Sequence, residues 1–261
     1  MKIGIIQNSF GKLPIEEEIR LMKENGFSAT FLYCEYEDFD RDVATFREAG
    51  IDVETIHAPY DGINNMWLEG DAGDRMLQRL LGCCDAAKRN SIPLVVVHLS
   101  SGNTPPMINQ TGNERFGKLM EYARNLGVSI AFENQRKLGN LAHAFEYYND
   151  ARFCWDVGHE ACFTEGREYM PLFGDRLSAL HIHDNTAEAN KDYHMIPYDG
   201  VIDLDKAARF IAASDFDGTL MLEVVRNAST FYQTTPPEEY FRRAGEAAKR
   251  FNAAVERYRQ K

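Results

Sequence analysis

Two rhythms of apolar residues alternate along the chain. Short runs rich in β-branched and aromatic residues read as buried strands: "KIGIIQ", "SATFLYC", "VETIHAP", "PLVVVHLS", "VSIAFEN", "RFCWDVGH", "LSALHIHD" and "GTLMLEVV". Between them, apolar positions recur every three to four residues and predict amphipathic helices. These are "IEEEIRLMKENG", "FDRDVATFREAG", "DRMLQRLLGCCDAAKRN", "ERFGKLMEYARNLG", "NLAHAFEYYND", a short "REYMPLFGD", "LDKAARFIAASD" and a final "PEEYFRRAGEAAKRFNAAVERYR". Joins such as "REAGIDVETI" and "RNLGVSIAFEN" put a glycine where a helix stops and a strand starts. Eight strands and eight helices in strict alternation predict an α/β fold, a single (β/α)₈ TIM barrel over residues 1–261, closed by a C-terminal helix at about 236–260. A doubly wound open sheet is the alternative. It ordinarily carries a Gly-rich phosphate turn after its first strand, and "IIQNSFGKLP" has no GxGxxG.

A barrel draws its chemistry from the carboxyl ends of its strands. Here those ends hold the polar residues: His57 on strand three, His98 on four, Glu133 on five, and Asp156 with His159 on six. Strand seven ends in His181, His183 and Asp184, strand eight in Glu223, and the following segment "KDYHMIPYDGVID" adds Asp192 and His194. Of the seven histidines only His143 falls in a helical stretch, where it reads as a surface residue. Imidazoles and carboxylates gathered on one rim cost several kcal/mol to bury unpartnered. A divalent cation between them removes that cost, and this donor set suits Zn, Mn, Fe or Co. His183, two residues beyond His181, faces the same side but further out, beside the ligands or toward substrate. Asp184 either orients His181 or binds substrate.

A formal net charge of −11 and a pI near 5.2 argue against wide contact with nucleic acid or an anionic membrane. The opening "MKIGIIQNSF" is too short an apolar run for a signal peptide, and no stretch is apolar enough to span a bilayer. Five cysteines with no CxxC pair are read as structural thiols of a reduced, cytoplasmic protein. The loops "DGINNMWLEGDAGD" and "SSGNTPPMINQTGN" are neutral to acidic and carry Met66, Trp67 and Met107; later loops add Phe163, Tyr193, Tyr198, Phe231 and Tyr232. Such a set suits the hydroxyls and CH faces of a small sugar or polyol, with Trp67 as a substrate contact. Loop cations are few (Lys12, Arg136, Lys137, Lys191, Arg226) and allow for a single phosphate at most.

In order and spacing, these residues resemble the xylose isomerase-like superfamily of TIM barrels. That group includes ketose 3-epimerases, hydroxypyruvate isomerase, inosose-processing enzymes and endonuclease IV, and the likeness spans roughly residues 2–250. It implies one divalent ion (Mn, Mg, Co or Zn) held by Glu133, Asp156, His181 and Glu223, with Glu133 and Glu223 as the acid–base pair. His159, in the DxxH of strand six, is implied to contact substrate. The likeness to endonuclease IV extends further, to His57, His98, His159, Asp192 and His194, and implies up to three metal ions. Two departures stand out. Pro197 and Tyr198 replace an Ile-Gly of endonuclease IV, and Met195 sits near the place of the arginine with which ketose 3-epimerases grip substrate.

The expected activity is a metal-dependent sugar or sugar-phosphate isomerase or epimerase, moving a proton next to a carbonyl through an enediolate. One alternative is a three-zinc phosphodiesterase acting at abasic DNA, which would need a basic groove that these loops do not offer. Another is a metal-dependent keto-inositol dehydratase, which shares the first proton abstraction. A non-catalytic barrel should have lost ligands, and none is missing. The C-terminal helix could pack on its own barrel or on a second copy in a homo-oligomer.

Overall fold

A computed structural model describes residues 1–164 and 167–260. Eight parallel strands line up in the order β7-β6-β5-β4-β3-β2-β1-β8. They are β1 (Ile3–Ile5), β2 (Ala29–Tyr33), β3 (Asp52–His57), β4 (Leu94–His98), β5 (Ser129–Glu133), β6 (Arg152–Asp156), β7 (Leu177–His181) and β8 (Leu220–Leu222). The two end strands meet just beyond β7, where Ile182 N donates to Met221 O at 2.9 Å and Glu223 N to Ile182 O at 3.1 Å. The expected eight-stranded barrel is therefore observed, all but closed.

The helices are α1 (Ile15–Glu24), α2 (Phe39–Glu48), α3 (Asp71–Arg89), α4 (Gln110–Leu126), α5 (Leu138–Tyr147), α6 (Val157–Phe163), α7 (Met170–Phe173), α8 (Leu204–Ala213) and α9 (Pro237–Arg259). Helix α6 is additional to the alternation expected from sequence; its apolar pattern is too short to separate from β6. Local chemistry sets several boundaries. Asn109 caps α4 by accepting from Gly112 N at 3.0 Å, and Gly127 ends it with φ 73°, a conformation that favours a residue without Cβ. Asp203 caps α8 through Lys206 N at 2.9 Å. Helix α9 buries Tyr240, Phe241, Ala244, Ala248, Phe251 and Val255, a stripe at helical spacing, and packs against α1 and α8.

The strands are apolar on both faces because the helices cover one and the barrel interior the other. Val95, Val97, Ile130, Phe132, Phe153 and Trp155 join the large outer core. The alternate residues Leu94, Val96, Ala131, Cys154 and Ala179 form a separate inner cluster. Two residues further along the same strands, the same inward side carries His98, Glu133, Asp156 and His181. All five cysteines are free thiols. Among the described residues, no helix is long and apolar enough to cross a membrane.

Candidate metal centre

Strand register brings the polar strand ends side by side: Tyr33 beside His57, His98 beside Glu133, and Asp156 beside His181. Glu133 is the hub. One carboxylate oxygen lies 3.1 Å from His57 Nε2 and 2.9 Å from His98 Nε2; the other lies 3.3 Å from His181 Nδ1 and 3.2 Å from His159 Nδ1. Asp156 meets His183 Nε2 at 3.1 Å and also accepts from His159 N at 2.6 Å, which makes it the N-cap of α6. His159, expected at a strand end, therefore stands in the first turn of that helix. Asp192 lies 3.1 Å from both His159 Nε2 and His194 Nε2.

Potential ligand atoms within 4.8 Å of one another fall into overlapping groups. The central group is Glu133, Asp156, His181 and Glu223, all buried. On one side lie His57, His98 and Glu133, and on the other His159, His183, Asp192 and His194. The donor set fits a divalent ion on observations of this structure. Buried His181 Nε2, His98 Nδ1 and Glu223 Oε2 have no hydrogen-bond partner among the described residues, a costly arrangement for polar groups out of water. Glu223 Oε2 comes within 3.3 Å of His181 Nδ1 without making a hydrogen bond. Main-chain carbonyls also orient two of the imidazoles. His57 Nδ1 lies 2.7 Å from Ala58 O and His194 Nδ1 2.8 Å from Glu223 O, which leaves each Nε2 turned inward.

Two glutamates in one cluster are driven apart electrostatically. Burial pushes both carboxyls up, but for Glu133 the surrounding His181, His98 and His159 outweigh it and hold the group well below the usual range. Glu223 has fewer imidazoles against it; burial dominates, Glu133 and Asp156 add repulsion, and it rises to about 8. Burial alone lowers the imidazoles, yet Asp156, Asp192 and Glu133 raise His159 well above its ordinary value, while burial prevails at His98 and lowers it. A bound cation would favour the ionised form of every carboxylate here.

A cavity of about 230 Å³ opens above the cluster. His57, His98, Glu133, His159, Asp192, His194 and Glu223 line it, with Gln135, Arg136, Tyr33, Tyr60 and Phe163. Asp156, His181 and His183 lie beneath, fully buried. Several expectations need correction. Trp67 does not line this cavity: it is buried against Phe116 and donates its indole N–H to Leu99 O at 2.6 Å. His183 turns toward Asp156 rather than toward substrate space. Asp184 neither touches His181 nor faces the cavity; it accepts from the backbone N–H of Asn185, Tyr198, Gly200 and Ile202 at 2.7–3.0 Å and so shapes the loop after β7. His143 is half-buried and lies 2.8 Å from Asn113 Oδ1. Tyr33 and Tyr60, which a search by metal-ligand type passes over, form the aromatic wall, and Tyr33 donates to Glu223 Oε1 at 3.2 Å. The position of Tyr33 as the last residue of β2 is the signal that could have found it.

Comparison with known proteins agrees with this fold. The pattern of the xylose isomerase-like TIM barrel family matches residues 19–251. Over 114 residues the chain is 35% identical to "Uncharacterized protein y4fM" of Sinorhizobium fredii, a stretch that is 41% of this chain and 35% of that one. The chain thus spans about a third of the curated relative it matches. The fold is similar to that of D-psicose 3-epimerase from Clostridium cellulolyticum H10, solved with D-tagatose, with a TM-score of 0.80 at 14% identity over 98% of this chain and 99% of the other. It is also similar to the IOLI protein with a bound zinc atom, with a TM-score of 0.72 at 15% identity over 99% of each chain.

Proposed function

Because the chain belongs to the xylose isomerase-like TIM barrel family, we propose that it is a divalent-metal-dependent isomerase or epimerase of a small sugar, sugar phosphate or polyol. The observation that carries this reading is the central group of Glu133, Asp156, His181 and Glu223, set under a polar cavity with aromatic walls. At about 230 Å³ the cavity falls below the roughly 300–1,000 Å³ usual for ligand sites, which favours a small substrate over a polymer. The D-psicose 3-epimerase of similar fold acts, by its name, on a sugar of that kind.

A divalent ion held by those four residues would supply Lewis-acid polarisation of a carbonyl and its neighbouring hydroxyl. The chain's own groups handle the proton. Glu133 comes from β5 and Glu223 from beyond β8, so the two carboxylates reach the cavity from strands that are not neighbours. Imidazoles engage both oxygens of Glu133, whereas Glu223 has one oxygen on the Tyr33 hydroxyl and the other free of hydrogen bonds. Glu223 is thus the better placed to take up and return a proton at Oε2. His159 and Gln135 line the cavity where a substrate hydroxyl would be held, and the rings of Tyr33, Tyr60 and Phe163 offer faces for CH groups.

Solvent deuterium should wash into a ketose of the right length, and Glu133→Gln or Glu223→Gln should abolish the exchange. Wash-in that survives either change removes the acid–base assignment. A second reading, a three-metal phosphodiesterase, is favoured by the flanking ligand groups. A single guanidinium lining the cavity among the described residues speaks against a polyanion. Elemental analysis separates the two: one ion per chain supports the sugar enzyme, and three zinc ions the phosphodiesterase. Loss of water from a keto-inositol would identify a dehydratase on the same site.

A further inference from the structure

Arg136 stands three residues after Glu133 and supplies the one Lys or Arg side chain lining the mouth cavity among the described residues. Its guanidinium sits 3.6 Å from the centre of the Phe163 ring. Phe163 in turn stacks on His159, with centroids 4.9 Å apart and planes at 25°. The cation is thus fixed on the same stack as an imidazole of the ligand cluster, one ring further out.

Arg136 has almost no partner of its own. Among the described residues its hydrogen bonding is a single contact, Nε to Asn190 Oδ1 at 3.3 Å. Asp192 attracts it through space but makes no ion pair with it. Other arginines differ: Arg79, Arg89, Arg115, Arg242 and Arg243 each reach a carboxylate at 2.7–3.0 Å. The Phe163 ring and the attraction of Asp192 offset part of the desolvation of this half-buried guanidinium, but its terminal N–H groups meet no carboxylate or carbonyl among the described residues. That planar fork matches a carboxylate or a phosphate through two parallel hydrogen bonds.

We infer that the substrate carries one terminal anion, a carboxylate or a phosphate, which Arg136 binds while the carbonyl end lies over Glu133 and Glu223. The rings of Phe163 and His159 separate the two ends, so anion and reacting carbon belong to opposite ends of one small molecule. A longer polyanion finds no second cation on the cavity wall among the described residues. The inference rests on the small-sugar reading above and narrows its substrate class.

The test is calorimetric titration of the metal-loaded protein with four- to six-carbon ketoses, each in neutral, terminal-carboxylate and terminal-phosphate form. One anionic form should bind roughly tenfold to a hundredfold tighter than its neutral parent, the range for a charge-assisted pair, and whichever anion gains identifies the group. In Arg136→Gln that ratio should collapse toward one, and Arg136→Lys, which keeps the charge but loses the fork, should give an intermediate ratio. Metal content and melting temperature, read on the same samples, exclude loss of the site itself. Equal affinities in the native protein, or a ratio unchanged in Arg136→Gln, overturn the inference. Binding without deuterium wash-in counts against the enzyme reading, whereas wash-in with equal affinities counts only against the anion. A protein that binds none of the panel overturns both.

Discussion

On β4, His98 faces the barrel axis two residues above Val96; on β5 Glu133 stands above Ala131, on β6 Asp156 above Cys154, and on β7 His181 above Ala179. The upper layer is a buried set of acids and imidazoles, and the lower one is small and apolar. Below it the amino-terminal mouth opens a cavity of about 400 Å³, larger than the one of about 230 Å³ at the carboxyl mouth. Its walls include Val53, Leu94, Ala179, Phe216 and Met221, and its rim charges pair in solvent, Lys2 with Asp52 at 2.5 Å. Volume therefore does not locate the chemistry. The larger cavity has rim charges that pair in solvent, whereas the smaller sits on buried acids and imidazoles that lean mostly on one another and leave His181 Nε2, His98 Nδ1 and Glu223 Oε2 without a hydrogen-bond partner among the described residues.

Removing Asp156 is the strongest way to break this contrast. Asp156→Ala takes away a member of the central group, the partner of His183 and the cap of α6 at once. Metal content should fall more than about 100-fold, beyond what loss of an outer partner alone costs, with isotope exchange lost alongside; metal retained in this variant would undo the assignment. Gly158→Ala tests the support of the cluster. A Cβ there would lie 1.8 Å from His183 Cε1, so the imidazole must leave Asp156. We expect about 10–100-fold weaker metal retention against a chelator and about 1–3 kcal/mol lost in urea unfolding. Unchanged retention would exclude His183 from the centre. The smallest effect belongs to the other mouth: Asp52→Ala should cost no more than about 1 kcal/mol, as exposed ion pairs do, and leave metal content and turnover intact. Loss of activity there would mean that the amino-terminal cavity takes part after all.

The ligand types were legible in the sequence because inward-facing side chains repeat every second residue, and a histidine or acid closing an apolar run cannot be hidden. Roles that depend on what lies across the barrel were less so. Trp67 reads as a loop aromatic over a cavity, but Gly112 has no Cβ and admits its ring to the core beside Phe116. Asp184 reads as an orienter of His181 or a substrate contact until the loop after β7 folds back and surrounds it with N–H donors. Among five loop cations nothing in the sequence distinguishes Arg136, because its place over Phe163 comes from the loop after β5 meeting the end of α6.

The chain by itself determined the periodicities, hence the eight strands and the residues that end them, since these follow from neighbours a few positions apart. Which of those residues meet was decided only by closure of the barrel. His57 and Glu133 touch across 76 residues of chain, and Tyr33 and Glu223 across 190. Such pairs are set by strand register and by the Ile182–Leu222 seam, where geometry rather than chain distance selects the partner.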